Sequence, residues 1–515
     1  MIKGILCRLL VGILLISLLT GCGFKKEEQH EEQSSAFNEE SVPQQESSAV
    51  VWQEEVSQQM QTPTVGGEFK LAIENPKSLL PWEVTDEATG KLLMLIYSPL
   101  MNQKEDGTML PCLAASKAWS PDHSELTIKL RSDVTFHNGK QLTAQDVVYS
   151  IQMLQSSENV YSDVVKRIAQ VEATEEGDLI LRFSAPGRTN DEGLIFPVVP
   201  QDYKEPMMPV GTGPYAYAGL EIMRELQLVR YEDYFGMRPY VADVKVYFVR
   251  DTAAVEQCFE TSRTNLMQTD YFTWGSYVNQ KNLTVHPFES YEAVYLEFNT
   301  KGNFGSVYSN REKVALAVDA VRVLRDAYWG KGTVTETLLR PGSWYKTEPT
   351  KNYGYDAEKA MNMLAVGSNT VRLLYDEKDP VLSSAAETVK MQLEASGLTV
   401  QMKTAGSYDI ALRRERMTLM RAAEVVGRQE LLAEASDEEQ IRFAAQQLDV
   451  YMNEELMVYN LFFMTQTSVT GYGIEGEMTP GDWNVYNGIE ELYMSTVEDE
   501  AVNAEREETE GGAAQ

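Results

Sequence analysis

LPCLAASKAWSPDHSELTIKLRSDVTFHNGKQLTAQDVVYSIQML, residues 110–154, carries three local instructions in one run. ELTIKL at 125–130 reads as a strand, with apolar residues recurring at every second position. Asn138-Gly139 is a strong hairpin signal, because both turn positions favour positive φ. Thr143-Ala-Gln-Asp146 then opens a helix: the Thr hydroxyl accepts from orphan N–H groups, and the acid answers back as in a capping box and suits the positive helix end. His137 stands alone between turn and helix. Whether it is a catalytic base or a piece of scaffold depends on the rest of the chain.

A chain of 515 residues is too long for one compact core. Its hydrophobic content, 43%, is that of a globular protein, and its formal net charge is −32. That charge argues against nucleic acid as a partner, since counterion release needs basic patches to meet phosphates. Much of it sits in the tails: residues 23–60 are rich in Glu, Gln and Ser, and residues 498–515 read EDEAVNAEREETEGGAAQ. Such stretches bury too little apolar surface to offset the entropy of ordering, so both are expected to be disordered.

Lys3 and Arg8 lead into an apolar run, Leu9 to Leu19, with the proportions of a signal-peptide core and too short to span a bilayer. Leu19-Thr20-Gly21-Cys22 follows and resembles a bacterial lipobox, which implies cleavage before Cys22 and lipid on the new N-terminus. Acyl chains contribute roughly 0.8 kcal/mol per buried CH₂, enough for two or more to hold a globular domain at a membrane. Residues 22–65 then become an acidic tether behind a signal peptide at 1–21. Cys112 and Cys258 are open to two readings, a disulfide in an extracytoplasmic setting or two small buried thiols.

Along the chain, GEFKLAIE after Gly66 alternates like a strand, and a helix carrying Leu92, Leu93, Leu95 and Ile96 follows a Pro-containing loop. Further strands are expected in DLILRFSA, LQLVRYED and DVKVYFVRD. From about residue 310 helical periodicity takes over, in REKVALAVDAVRVLRDAYWG, DAEKAMNMLAVG and SSAAETVKMQLEASG. VRLLYDE and LTVQMKTA flank the last of these, a β-α-β order that predicts parallel pairing. A long helix, DEEQIRFAAQQLDVYMNEEL, precedes LMVYNLFFMTQTSVTGYGI, which reads as a buried strand.

The opening run resembles the N-terminal signature of the family 5 extracellular solute-binding proteins, the dipeptide, oligopeptide and nickel receptors of ABC importers. In that family a P-x-L-A-x-S-W stretch leads through a strand and an F-H-[DN]-G hairpin to a T-A-x-D-V helix. The likeness continues in order through FPVVP (196–200), PVGTGPYAY (209–217), YEDYFGMRPYVADVKVYFV (231–249), YLEFNT (295–300), REKVALAVD (311–319), YDAEKAMNMLAVG (355–367), SYDIAL (407–412) and WNVYNGIEE (483–491).

The resemblance implies an α/β, periplasmic-binding-protein-like (class II) clamshell of two lobes with an additional small domain, its mixed sheets flanked by helices. Lobe I is then discontinuous, 66–95 with 196–293 and 478–497; the extra domain is 96–195, lobe II is 294–477, and 498–515 is the acidic tail. It also places His137 in a structural hairpin, and implies a membrane-anchored monomer outside the cytoplasm that captures a peptide or peptide-like solute and hands it to ABC permease subunits.

The residues give an enzyme little to work with. There is no H-E-x-x-H metal pair, no G-x-S-x-G elbow, no Walker loop and no GxGxxG after a strand, so neither catalysis nor a cofactor is expected. GTGPY at 211–215 reads as a tight turn that needs positive φ. Only His123, His137 and His286 could serve a metal in the folded region, and no metal site is expected.

By analogy with the family, Trp82, Glu83, Thr85, Asp86 and Glu87 face the cleft, and Tyr161 adds an aromatic after the signature helix. In peptide-binding relatives the stretch after the motif matched here by Tyr408-Asp409 supplies a Trp and an Asp that pairs with the peptide's amino terminus. This chain reads ALRRERMTLMRAAEVVG there instead. Arg413, Arg414 and Arg416 are either a solvated helix surface or an anion-recognising wall of guanidinium forks. The missing anchor leaves an alternative function open: a degenerate relative that binds a non-peptide, anionic ligand or acts as a sensor or interaction lipoprotein.

Overall fold

The computed structural model describes residues 63–495 apart from 222–223, 270–276, 278–279, 281–282, 347–352 and 472. The expected signal peptide, Cys22 with its tether up to residue 62, and the acidic tail at 498–515 lie outside the described residues.

Strand β1 (Glu68–Glu74) buries Phe69, Leu71 and Ile73 and leaves the residues between them on its other face. Helix α1 (Glu87–Leu92) follows, N-capped by Asp86, and runs into a buried 3-10 turn at Leu93–Leu95. A small hairpin of β2 (Met101–Gln103) and β3 (Met109–Pro111) leads to an antiparallel sheet of β4 (Ala114–Trp119), β5 (Glu125–Leu130), β6 (Ile168–Ala173) and β7 (Leu179–Phe183), in the order β4-β5-β7-β6. Helix α2 (Ala144–Gln155) packs on β6 and β7. The capping box at its start is present, with the Thr143 N–H donating to Asp146 Oδ2 at 2.8 Å.

The chain then returns as β8 (Tyr215–Glu221), β9 (Glu225–Arg230) and β10 (Asp243–Val249) to complete the sheet begun by β1, with β10 parallel to β1. One continuous core joins this sheet to the 96–195 segment, running from Phe69 and Val246 to Ile128, Val147 and Leu181. Cys112 and Cys258 are both buried free thiols, so no disulfide joins them.

His137 belongs to this scaffold. The Gly211 N–H donates to its Nδ1 at 3.2 Å and its Nε2–H donates to the Gly213 carbonyl at 3.0 Å. The first partner can only donate and the second can only accept, which fixes the neutral Nε2–H tautomer. Gly139 alone takes positive φ (80°), so the Asn138-Gly139 turn is not the two-residue form. Phe136 instead accepts from the Gly139 N–H and donates to the Lys140 carbonyl, each at 2.8 Å, as in a three-residue hairpin loop. GTGPY also differs from expectation: Gly211 and Gly213 are required by close approach, since a Cβ on either would lie 2.0 and 2.7 Å from the Ile96 carbonyl oxygen, and not by positive φ.

Strand β11 (Leu266–Thr269) and the 15-residue β12 (Thr284–Phe298) lead to the second lobe. There helix α3 (Tyr308–Ala317) is followed by β13 (Gly332–Thr333), helix α4 (Ala357–Asn362), β14 (Thr370–Leu374), helix α5 (Pro380–Ala395), β15 (Thr399–Lys403) and β16 (Ile410–Arg416). Helices α6 (Leu419–Val425) and α7 (Glu438–Glu455) precede β17 (Val458–Thr470). The sheet order is β11-β17-β12-β16-β14-β15, with β13 on β17, and β14 pairs with β15 in parallel as the β-α-β order requires. The helical run after residue 310 is split, because Val318 is extended and Asp319 caps a second helix, Ala320–Tyr328.

Two basic side chains inside α3 are fully used. Lys313 Nζ donates to the carbonyls of Ala360, Met363 and Ser396 at 2.5 to 2.9 Å, and Arg311 donates to those of Gly305 and Glu455. These acceptors include the C-terminal ends of α4, α5 and α7, where a cation meets the negative end of a helix.

Burial holds the His137 imidazole down at about 4, against a backbone bond to Gly213 that pulls upward. The unfolded chain takes up a proton near 6.5 and the folded one does not until about 4. Stability from this residue is therefore complete above pH 6.5 and is lost as pH falls towards 4, by roughly 3 kcal/mol at the limit. Urea denaturation of His137→Gln alongside the unaltered chain is expected to show a lower starting stability at pH 7.5 and a shallower loss between pH 6.5 and 4.5.

Candidate functional site

Strand β12 runs from one core to the next, Phe288 packing with the core of the β1–β10 sheet and Val294 with that of α3 and α5, and β17 runs beside it. The two strands pair from Thr284–Glu289 against Thr465–Thr470, and again from Ala293–Glu297 against Val458–Phe463. Between these stretches the register breaks and Ser290–Glu292 bulge out of the ladder.

A bulge leaves a backbone donor without its strand partner. Asp482, almost wholly buried, supplies the acceptor by taking the Tyr291 N–H, while the Tyr291 carbonyl accepts from the Met417 N–H at 2.7 Å. The same Asp482 carboxylate lies 3.7 Å from Arg416 Nη2. The Arg416 guanidinium stacks on Trp483, 3.5 Å from its ring centroid. Arg340, 2% exposed, lies over the opposite part of this cluster, 4.5 Å from the Tyr291 ring, and donates to the Glu289 and Glu105 carbonyls.

Beside this cluster opens a cavity of about 600 Å³. One wall comes from the segments 163–167 and 189–193, the other from the end of β16, α6 and Trp483. Arg167 Nη2 crosses it to Glu424 at 3.0 Å, and Arg188 reaches the Ser436 carbonyl at 2.6 Å. The cavity therefore lies between the 163–193 stretch and the end of β16 with α6, and the Arg167–Glu424 contact spans it.

The expected site residues divide sharply. Arg416 lines the cavity. Arg414 stands on the same face of β16 and pairs with Glu292 at 3.3 Å and Asp379 at 3.1 Å. Burial pushes the Glu292 carboxyl up; Arg414 and Arg416 pull it down, and Asp482 and Glu87 add repulsion. Glu87 thereby joins the same electrostatic neighbourhood, with Glu83, Thr85 and Asp86 exposed on the adjoining turn.

Three expectations are corrected. Trp82 is a core side chain, edge-on to Tyr149 with ring centroids 6.0 Å apart. Tyr161 is equally buried, and its hydroxyl donates to the Gly90 carbonyl at 3.1 Å. Arg413 points to the other face of the sheet, where Glu297 holds it at 2.9 Å. The arginines also sit on a strand and not on a helix, so alternation separates 413 from 414 and 416.

Residues 108–424 match the family model for the middle region of bacterial extracellular solute-binding proteins, family 5. The chain is a family 5 bacterial extracellular solute-binding protein.

This solute-binding protein is 24% identical over 288 residues to the nickel-binding periplasmic protein of Escherichia coli, covering 52% of this chain and 55% of that one. It is 26% identical over 328 residues to the oligopeptide-binding protein AppA of Bacillus subtilis, covering 59% and 60%. The matched region thus spans little more than half the length of these curated relatives. Its fold is that of the ABC transporter substrate-binding protein CtaP from Listeria monocytogenes, with a TM-score of 0.71 at 18% identity over 84% of this chain and 100% of that one.

Glu192 and Trp483 line the cavity and were not anticipated from sequence as contacts. WNVYNG was noticed only as a family likeness, and Glu192 lies in a polar run, RTNDEG, that looks like any surface turn. No helix among the described residues is long and apolar enough to cross a membrane, and no group of three or more His, Cys, Asp or Glu there is arranged to hold a metal ion.

Asp482→Ala strands the Tyr291 N–H in a buried bulge and removes the carboxylate nearest Arg416. Urea denaturation is expected to show a loss of about 1–3 kcal/mol, the penalty for an unsatisfied buried donor.

Proposed function

We propose that this solute-binding protein is the capture component of an ABC importer, held at the outer face of the bacterial membrane through lipid on Cys22. As a monomer it takes up a peptide or peptide-like solute between its lobes and delivers it to the permease, without chemistry of its own. The observation that carries this is the cavity of about 600 Å³, walled on one side by the segments 163–167 and 189–193 and on the other by the end of β16, α6 and Trp483. A volume of that order is typical of a small-solute site, and enclosure requires that the polar groups inside be paired by the guest. Motion is the working step: a ligand that touches both walls binds the closed state better than the open one and shifts the population by that difference.

Glu83, Thr85, Asp86 and Glu87 contribute from the lobe I rim, and Arg414 and Arg416 from β16. The relatives' names span nickel, heme and oligopeptides, so the guest must be assigned from the cavity itself. An anionic, non-peptide guest is the second reading, and the incompletely paired Arg416 guanidinium favours it.

Growth of the producing cells with labelled palmitate is expected to mark the chain, and Cys22→Ser to abolish the label. Purified protein incubated with a mixed peptide digest is expected to retain peptides in native mass spectrometry, with retention cut at least tenfold in Trp483→Ala. Retention of an anionic metabolite in place of any peptide would shift the assignment to the second reading.

A further inference from the structure

A second cavity, of about 540 Å³, shares no lining residue with the one described above. Every residue that lines it falls within 318–355 or is Tyr459. Tyr459 of β17 closes it from the core side: its ring belongs to the core of α3 and α5, and the residue is 3% exposed. The Tyr459 hydroxyl makes no hydrogen bond among the described residues. Two carboxylates, Asp319 and Glu336, share the lining with it.

Neither acid has a cation within ion-pair reach among the described residues. Glu336 accepts from the Tyr353 and Gly354 N–H groups, at 2.8 and 2.9 Å, and Asp319 accepts from the Arg322 N–H at 3.2 Å. These backbone bonds fix both groups and leave lone pairs for a further donor, since a carboxylate accepts about four bonds. Among the described residues of the lining the one cation is Lys346, and it is taken by Asp449 at 3.3 Å and Thr337 at 3.1 Å. Burial pushes the Tyr459 hydroxyl up, with Glu336 and Asp319 adding repulsion. It therefore stays protonated and uncharged, a group that accepts as well as donates, and its burial without a partner is costly. Val321 and Tyr355, 65% and 53% exposed, bring apolar surface to the same lining.

We propose that this cavity is a second ligand site, one for an organic ammonium ion on an apolar body, such as an arylalkylamine, with the ammonium held by Asp319, Glu336 and the Tyr459 oxygen. A primary ammonium carries three donors and no acceptor, and the lining offers three acceptors for them. Charge decides the class of guest: a carboxylate would meet two acids with no cation to offset them, whereas an ammonium gains charge-assisted hydrogen bonds. The Tyr355 ring adds a π face suited to a cation, and the valine surface suits the apolar body. The volume is that of a small-molecule site. Because the two cavities have no residue in common, this assignment does not rest on the reading of the first.

The test is isothermal titration calorimetry of the full-length chain at neutral pH with three probes that share one body: phenethylamine, phenethyl alcohol and hydrocinnamate. The unaltered chain is expected to bind the amine roughly tenfold or more tightly than the alcohol or the acid. Asp319→Asn, which keeps a helix-capping oxygen, and Glu336→Gln are each expected to weaken amine binding roughly tenfold. Tyr459→Phe keeps the ring in the core, so its expected loss of roughly fivefold reads the hydroxyl alone. Equal affinity for the three probes, or no binding of the amine by the unaltered chain, overturns the proposal. Amine binding that is unchanged in all three variants places the amine elsewhere on the molecule and overturns it as well. Retention of peptides, read separately from the same preparations, bears only on the first cavity.

Discussion

One backbone amide organises the junction between the lobes. Where β12 leaves its partner at Ser290–Glu292, the Tyr291 N–H loses its place in the ladder, and the buried carboxylate of Asp482 replaces the strand. A continuous pair of strands would weld the lobes into one rigid sheet. A bulge with no replacement acceptor would cost the desolvation of a buried donor. The side-chain acceptor resolves the conflict, because it keeps the amide satisfied without imposing strand geometry. It also ties the position of the 481–484 loop to the bulge, so Trp483 and the cavity face of Arg416 are set by the same contact.

Lobe II achieves its rigidity by a different economy. Lys313 and Arg311 place cations on carbonyls at the C-terminal ends of three helices, with no carboxylate involved. A carboxylate partner would add a second charge to desolvate, whereas carbonyls at a helix end are already unsatisfied and carry partial negative charge. The REKVALAVD stretch is thus a fastening device as much as a helix, and its polar residues are buried for that reason.

The strands and the long helices of this fold were legible because their periodicity is local: β1, β5, β10, α5, α7 and β17 fall where alternation or capping put them. The capping box at Thr143 was legible for the same reason. The role of His137 was not readable from neighbours, since both its ring partners lie more than 70 residues away, at Gly211 and Gly213. Of the candidate site, the arginine run was visible but its geometry was not. On a strand the three residues divide between two faces, and only the register of β16 against β12 decides which of them meets the cavity. Trp82 and Tyr161 misled because an aromatic beside a loop has the same sequence signature whether it faces a cleft or a core. Glu192 gave no signal at all, since its place on the cavity is a property of the assembled walls.

The chain's strongly acidic balance says little about what the cavity prefers. Fields from the tails fall off over a Debye length of about 8 Å at physiological salt, and much of the excess charge lies in residues 23–60 and 498–515. Inside the cavity the relevant charges are those within hydrogen-bond reach, and there the wall pairs its acids with its bases along Arg167, Glu424, Arg421 and Glu415. A wall paired in this way is close to neutral and presents dipoles in place of net charge. Selectivity then falls to the groups left over, because only they gain a partner when a guest enters. An acidic protein can in this way take an anionic guest without contradiction, its surface governing solubility and encounter while a few enclosed side chains govern choice.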